Sequence, residues 1–174
     1  VPVKRTVLFP ETMVPFTIGR GRSIAAVEAA MNSEEKSLLL AAQRDSEKED
    51  PGFNDLFQIG TKAVIKQMGK TPEGHLQILV QGIERMVLLK AESTDPFFMI
   101  RARQVPQPSE SGTQIEALHR ALQDLLNQLP ELLGTQGVSD MVAVLRAEKI
   151  PLSVAYRLIS LFNLSLDRLQ SLLE

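Results

Sequence analysis

Gly69-Lys70-Thr71 has the ending of a phosphate-binding loop, in which glycine-flanked N–H groups wrap a phosphate and a lysine neutralises it. The full motif needs another glycine five residues before Gly69. Val64 stands there, inside a strand-like run, and Pro72 follows where a helix should begin. The segment Lys70–Gly74 therefore reads as a hairpin tip. Gly19-Arg20-Gly21-Arg22-Ser23 is better placed for an anion, because two arginines and the positive end of a following helix converge there. The plainer reading is a glycine-relaxed turn into a helix capped by Ser23. Two histidines, His75 and His119, lack any partner at metal-ligand spacing, and His119 sits beside an apolar stripe as a partly buried structural residue. No Gly-x-Ser-x-Gly elbow is present. The chain has no cysteine, which excludes thiolate chemistry and fits a reducing compartment.

The elements that must position these residues fall into two textures. Of 174 residues, 44% are hydrophobic and 23% charged, close to globular averages. No run approaches 18 apolar residues, and Val1-Pro2-Val3-Lys4 lacks the layout of a signal peptide. With no initiator Met, the chain reads as a fragment or a processed product. Fourteen basic residues face thirteen acidic ones up to Val105, and five face eight after it. That balance argues against a polyanion-binding module, as do one Tyr and no Trp.

Residues 1–105 carry short β-like runs at Val3–Phe9, Ser37–Ala42, Ile59–Met68, Leu76–Val80, Ile83–Leu89 and Phe97–Val105. One helix interrupts them, with Ile24, Val27 and Met31 on one face and Asn32-Ser33 as its stop. Thr12–Thr17 reads as a loop, and Asp45–Asp50 as a solvated loop. Asp55 caps a local turn that Leu56 and Phe57 anchor. Residues 106–112 have linker composition. Residues 113–174 form a helical subdomain. Thr113-Gln114-Ile115-Glu116 matches a capping box, Ile115 to Leu129 form an apolar stripe, and Pro130 ends or bends it. Ser139 caps a second helix carrying Met141, Val142 and Leu145. Pro151 opens a third with Val154, Ala155, Leu158, Ile159 and Phe162 buried, and Ser165 caps a fourth.

Taken in order, Val7-Leu8-Phe9-Pro10, Val14-Pro15-Phe16, Ile18-Gly19-Arg20, Glu28-Ala29-Ala30-Met31, Leu40-Ala41-Ala42-Gln43, Asn54–Thr61 and Leu79–Arg85 resemble the N-terminal domain of the Lon ATP-dependent protease family. Asp167-Arg168-Leu169 with Leu172-Leu173-Glu174 is similar to the family's ending of the segment that follows. The chain departs from the family at Lys4-Arg5 and across Leu145–Ser160. The resemblance implies an α+β fold, a PUA-like β pseudo-barrel with one inserted helix followed by a small α-helical bundle. It implies capture of unfolded or degron-bearing proteins and support of a hexameric parent's own subunits, in the cytoplasm. ATP, Mg and Ser–Lys peptide cleavage are expected only in the parent's downstream domains, so the fragment itself is expected to hold no cofactor or metal and to be non-catalytic. A stand-alone adaptor protein with the same domain is the alternative.

A module that receives many unfolded chains needs adaptable apolar surface, and Met supplies it. Met13, Val14, Phe16 and Met68 are the expected contributors to such a patch, with Met31 and Met86 assigned to the core and a plug of the barrel as the alternative for Phe16.

Overall fold

The computed structural model describes residues 1–72, 75–106, 112–133, 136–148, 150–159 and 162–174, without the side chains at 129–133, 136–139 and 141. The expected hairpin tip at Glu73-Gly74, the linker residues 107–111, and the side chains of Leu129 and Met141 fall outside that description; the helix expected to end or bend at Pro130 runs on to Leu133, and Ser139 lies inside a helix that starts at Gln136 rather than at its cap. Two compact units emerge. The first comprises Val1–Pro106 and Asn163–Glu174, the second Gln107–Phe162.

The first unit is a six-stranded sheet with two helices. Its strands are β1 (Pro2–Val3), β2 (Met13–Ile18), β3 (Ser37–Ala42), β4 (Ile59–Lys70), β5 (Leu76–Ser93) and β6 (Met99–Gln104). The order is β1-β3-β4-β5-β2, with β6 also pairing β5. All pairs are antiparallel except β1 with β3. β5 is the spine. Its first part (Leu76–Gln81) faces β2, its second part (Met86–Ser93) faces β6, and β4 lies along Leu76–Val87.

Three expectations change here. Val3–Phe9 is not a strand, because β1 ends at Val3. Arg5 and Glu11 adopt left-handed backbone (φ 56° and 61°), which breaks the extended run at both ends. Between them Val7, Leu8 and Phe9 are consecutive and all buried, a pattern no half-buried strand can satisfy. Thr61 Oγ1 donates to Leu8 O (2.6 Å) and Thr12 Oγ1 to Phe9 O (2.7 Å), so side chains satisfy carbonyls that a ladder would have used. The stretch Thr12–Thr17, expected as a loop, contains β2 instead. β2 is the end strand of the sheet, where a proline at position 15 is tolerated. Leu76–Val80 and Ile83–Leu89 are parts of the single strand β5, running through Gly82. A Cβ at Gly82 would run into Phe9 O, so the glycine permits the Phe9–Glu11 backbone to cross β5. Glu11 N–H donates to Gly82 O (2.9 Å), and Gly82 N–H to Thr12 O (3.0 Å).

Helix α1 (Gly21–Met31) begins three residues earlier than expected, with Arg20 rather than Ser23 at the N-cap. Ser23 is buried in the first turn, and Val27 points fully into the core. Asn32 closes the helix as expected. Asp55 also behaves as expected: its Oδ2 accepts from Gly52 N–H (2.7 Å) in a 3-10 turn at Phe53–Asp55, and Leu56 is buried.

The second unit holds α2 (Thr113–Leu133), α3 (Gln136–Ala147) and α4 (Pro151–Ile159). α2 continues through Pro130 to Leu133. Leu126, Val142, Leu145 and Val154 form its core, with Leu122 and Leu158 packed against it. Leu118 and Leu125 of the expected stripe are exposed, and so is Phe162 at 62%, against the expectation that it is buried. Phe162 lies beyond the last turn of α4, so the helix no longer aims it at the core.

α5 (Leu166–Leu173) belongs to the sheet unit. Ser165 caps it by accepting from Arg168 N–H, and Leu173 is buried.

Candidate functional site

Cross-strand register determines which candidate side chains can act together, because directly paired residues share a face of the sheet. Phe16 pairs with Ile78, and Ile78 with Met68. Val14 pairs with Val80, and Val80 with Ile65. Val14, Phe16 and Met68 therefore lie on one face, where Ile65, Ile78 and Val80 are buried. Lys66 is the extra residue of a bulge between Ile65 and Gln67, which restores Met68 to that face. Met13 pairs with Gln81 and belongs to the opposite face, with Pro15, Leu79 and Gln67.

Exposure separates the four further. Met13 is 58% exposed and Met68 43%, whereas Phe16 is 8% exposed and Val14 is intermediate. Phe16 is thus a core residue at the wall of a groove rather than part of an open patch. That groove, of about 660 Å3, runs along β2 and is walled by Val14, Phe16 and Ile18 on one side and by Val3, Lys4 and Thr6 on the other. A second groove of about 230 Å3 crosses the opposite face and is bounded by Pro15, Leu79, Gln67 and Gln77. β2 is bordered by both. The β4 end beside it, Lys66–Lys70, is exposed throughout.

The charged residues around the larger groove are tied to one another. Gln43 is completely buried, with every polar group engaged. Its Oε1 accepts from Arg20 Nη1 (3.0 Å), and its Nε2 donates to Asp45 O (2.6 Å) and Lys48 O (2.9 Å). Arg20 also donates to Pro2 O (2.9 Å), so the acidic loop 45–50, β1 and the α1 entrance meet at one buried amide. Over this loop Lys4 pairs with Glu49 (2.8 Å), Arg5 with Glu47 (2.6 Å) and Arg22 with Asp50 (3.2 Å). The hydrogen bonds from Lys4 and Arg5 hold the Glu49 and Glu47 carboxyls below their ordinary range. These exposed pairs contribute little stability but consume the positive charge. The anion reading of Gly19–Ser23 loses its cations accordingly: Arg20 is bound to carbonyls and an amide, and Arg22 lies between Asp50 and the Phe98 ring.

Lys70 and Gly69 close β4 in register with Leu76 and Gln77, and Thr71 N–H donates to His75 O (2.8 Å). This is hairpin geometry, with backbone donors turned to the neighbouring strand rather than to a phosphate. His119 is half-buried on α2. Among the described residues no group of three or more His, Asp or Glu side chains could hold a metal, and no helix is long and apolar enough to cross a membrane.

Sequence reasoning overlooked two residues that organise this unit. Gln43 served only as part of a resemblance, although a glutamine ending an all-apolar strand is a signal that something polar awaits it inside. Arg85 is 8% exposed, and no neighbouring sequence shows that its guanidinium reaches the carbonyl of Leu173 (2.9 Å).

Grooves of mixed polar and apolar lining beside an end strand, with no metal-holding cluster among the described residues, suit a binding module of mixed α+β architecture. The model of the ATP-dependent protease La (LON) substrate-binding domain matches residues 1–174, and the chain belongs to that family. It is 39% identical over 173 residues to the Lon protease of Nitrosococcus oceani, covering 99% of this chain and 22% of that protein. It is 32% identical over 174 residues to the Lon protease of Desulforamulus reducens, covering 100% of this chain and 21% of that protein. The chain thus spans about a fifth of the length of these curated relatives, and the catalytic domains of the protease lie outside it. The solved N-terminal domain of Mycobacterium avium complex Lon protease shares the fold, with a TM-score of 0.64 at 24% identity over 82% of this chain and 72% of that one. A Lon N-terminal domain protein from Xanthomonas campestris aligns with a TM-score of 0.54 at 16% identity over 92% of this chain and 95% of that one.

Proposed function

We propose that this domain captures protein substrates in extended, unfolded or degron-bearing form through the surface around β2, and that it performs no bond-breaking itself. One observation carries the reading: the groove of about 660 Å3 along β2, with the exposed thioether of Met13 on the other face of the same strand. Apolar walls formed by Val14 and Phe16 select for exposed hydrophobic segments, which folded proteins bury. The exposed Met13 and Met68 adapt to different side chains, so many sequences fit. Each contact is weak, because an unfolded ligand loses conformational freedom on binding. Repetition of the domain around an oligomeric parent multiplies the affinity without new contacts. Exposed Leu118 and Leu125, seven residues apart on α2, supply an apolar stripe suited to contact between subunits. ATP, Mg and peptide cleavage belong on this reading to the rest of a longer protease. The cysteine-free composition suits work in the cytoplasm.

The test compares one model protein in two states. Reduced, alkylated α-lactalbumin should bind the 174-residue chain more tightly than the native, disulfide-intact protein. Equal affinity for both rules out recognition of the unfolded state.

A further inference from the structure

Arg85 is a cation buried in the sheet unit whose hydrogen bonds run to main-chain carbonyls. Nη1 donates to Leu173 O (2.9 Å) and Glu174 O (3.2 Å), and Nη2 donates to Pro106 O (2.9 Å). The carbonyl of Arg85 accepts from Val105 N–H (2.8 Å). One residue of β5 therefore grips two stretches far apart in the chain. Val105-Pro106 is where the chain leaves the sheet unit for Gln107–Phe162, and α5 belongs to the stretch by which it returns.

The electrostatics suit both grips. The last carbonyls of a helix have no intrahelical partner and carry partial negative charge, which a guanidinium complements. α5 is also held by its own side chains, Leu166 and Leu169 being half-buried. Buried Leu173 packs inward, and Gln170 Nε2 donates to Ile59 O (3.0 Å). Two atoms in this cluster, Arg85 Nε and Gln170 Oε1, are buried and find no hydrogen-bond partner among the described residues. The docked arrangement is therefore short of full satisfaction.

We propose that Arg85 is a latch that makes α5 and Val105-Pro106 dock and release as one unit. The reason is the half-released state. If α5 lifts away while Val105-Pro106 stays, the guanidinium loses two of its three acceptors, and a charge stripped of partners inside a fold is disfavoured. Release of both lets water reach the group. The coupled element thus has two preferred arrangements, and a partner that binds either one shifts the balance. This inference stands independently of how substrates bind.

Amide-resolved hydrogen exchange on the 174-residue chain tests it, using Leu173→Ala and Arg85→Met. Leu173→Ala loosens α5 without touching the guanidinium. Exchange should rise about tenfold or more at Leu169–Glu174 and also at Val105, while Ala63 and Ile65 change less than about twofold. Arg85→Met should raise exchange at the same two places. The latch is overturned if Leu173→Ala frees α5 while Val105 keeps its original rate, or if Arg85→Met leaves both stretches protected. Should Arg85→Met fail to fold, Arg85→Lys serves in its place, because a single ammonium lacks the planar fork that spans both carbonyl groups. Leu173→Ala decides the question alone if neither arginine variant is obtained.

Discussion

Phe16 and Met13, three residues apart on β2, should respond oppositely to substitution. Phe16 is 8% exposed and shares a row with Ile78, itself fully buried. Removing the ring leaves a void that Ile78 and the groove wall cannot fill. A Phe→Ala change at a core position costs about 3–5 kcal/mol. For a chain of this length each kcal/mol lowers the melting temperature by about 2–4 °C, so Phe16→Ala should melt roughly 6–20 °C lower. Met13 is 58% exposed, and a surface change there stays within about 0.5 kcal/mol. Met13→Asp should therefore melt within roughly 2 °C of the parent chain. Its effect appears in binding: losing one apolar contact and placing a charge on the exposed face of β2 removes about 1 kcal/mol, near a fivefold rise in Kd for reduced α-lactalbumin. Calorimetric melting and fluorescence anisotropy supply the two numbers. The reasoning fails if Phe16→Ala melts with the parent chain. The contact surface fails if Met13→Asp binds the denatured probe unchanged.

Gly82→Ala should lower the urea midpoint by more than about 2 kcal/mol equivalent, because its Cβ meets Phe9 O and no flexible side chain is available to yield; an unchanged midpoint contradicts the crossing of Phe9–Glu11 over β5. Gln43→Leu should cost about 1–3 kcal/mol by stranding Arg20 and the carbonyls of Asp45 and Lys48, with faster amide exchange across 45–50; an unaltered loop would show that the buried amide does not hold it. The Lys48 ammonium, then the Gly52 N–H, hold the Asp55 carboxyl below its ordinary value of 3.8. A depressed folded pKa means the stabilisation is present above the unfolded value and is lost as pH falls below it, through the folded pKa. Asp55 should titrate by NMR with a midpoint below 3.8, and Asp55→Asn should remove that share of the acid sensitivity; a midpoint at or above 3.8 refutes the assignment.

What could be read beforehand follows from how local each cause is. Ser37–Ala42, the stop at Asn32, Pro151 at the start of α4 and Ser165 at the cap of α5 all depend on neighbours within one turn or one strand. β2 escaped notice because Pro15 beside a threonine-bounded stretch imitates a loop, and the rule that an end strand accepts proline needs the sheet order first. Whether Phe16 joins a patch or plugs the barrel is not legible locally for a related reason. Its face is set by pairing with Ile78, sixty-two positions away, and not by its own neighbourhood. Met13 and Met68 are both exposed, but register separates them onto opposite faces, and no local pattern shows that. Arg85 was the least legible of all, since its acceptors at Leu173 and Glu174 lie 88 and 89 residues further on.

The eighteen-residue strand β5 has a practical consequence for anyone engineering this domain. Because it pairs with β4, β2 and β6 and already carries bulge residues at Ile83, Leu89 and Glu92, a residue added or deleted between them would invert inside and outside up to the next bulge able to absorb it. Point changes to exposed positions such as Gln77 leave that frame intact. A reporter peptide or affinity tag is therefore best placed outside Leu76–Ser93.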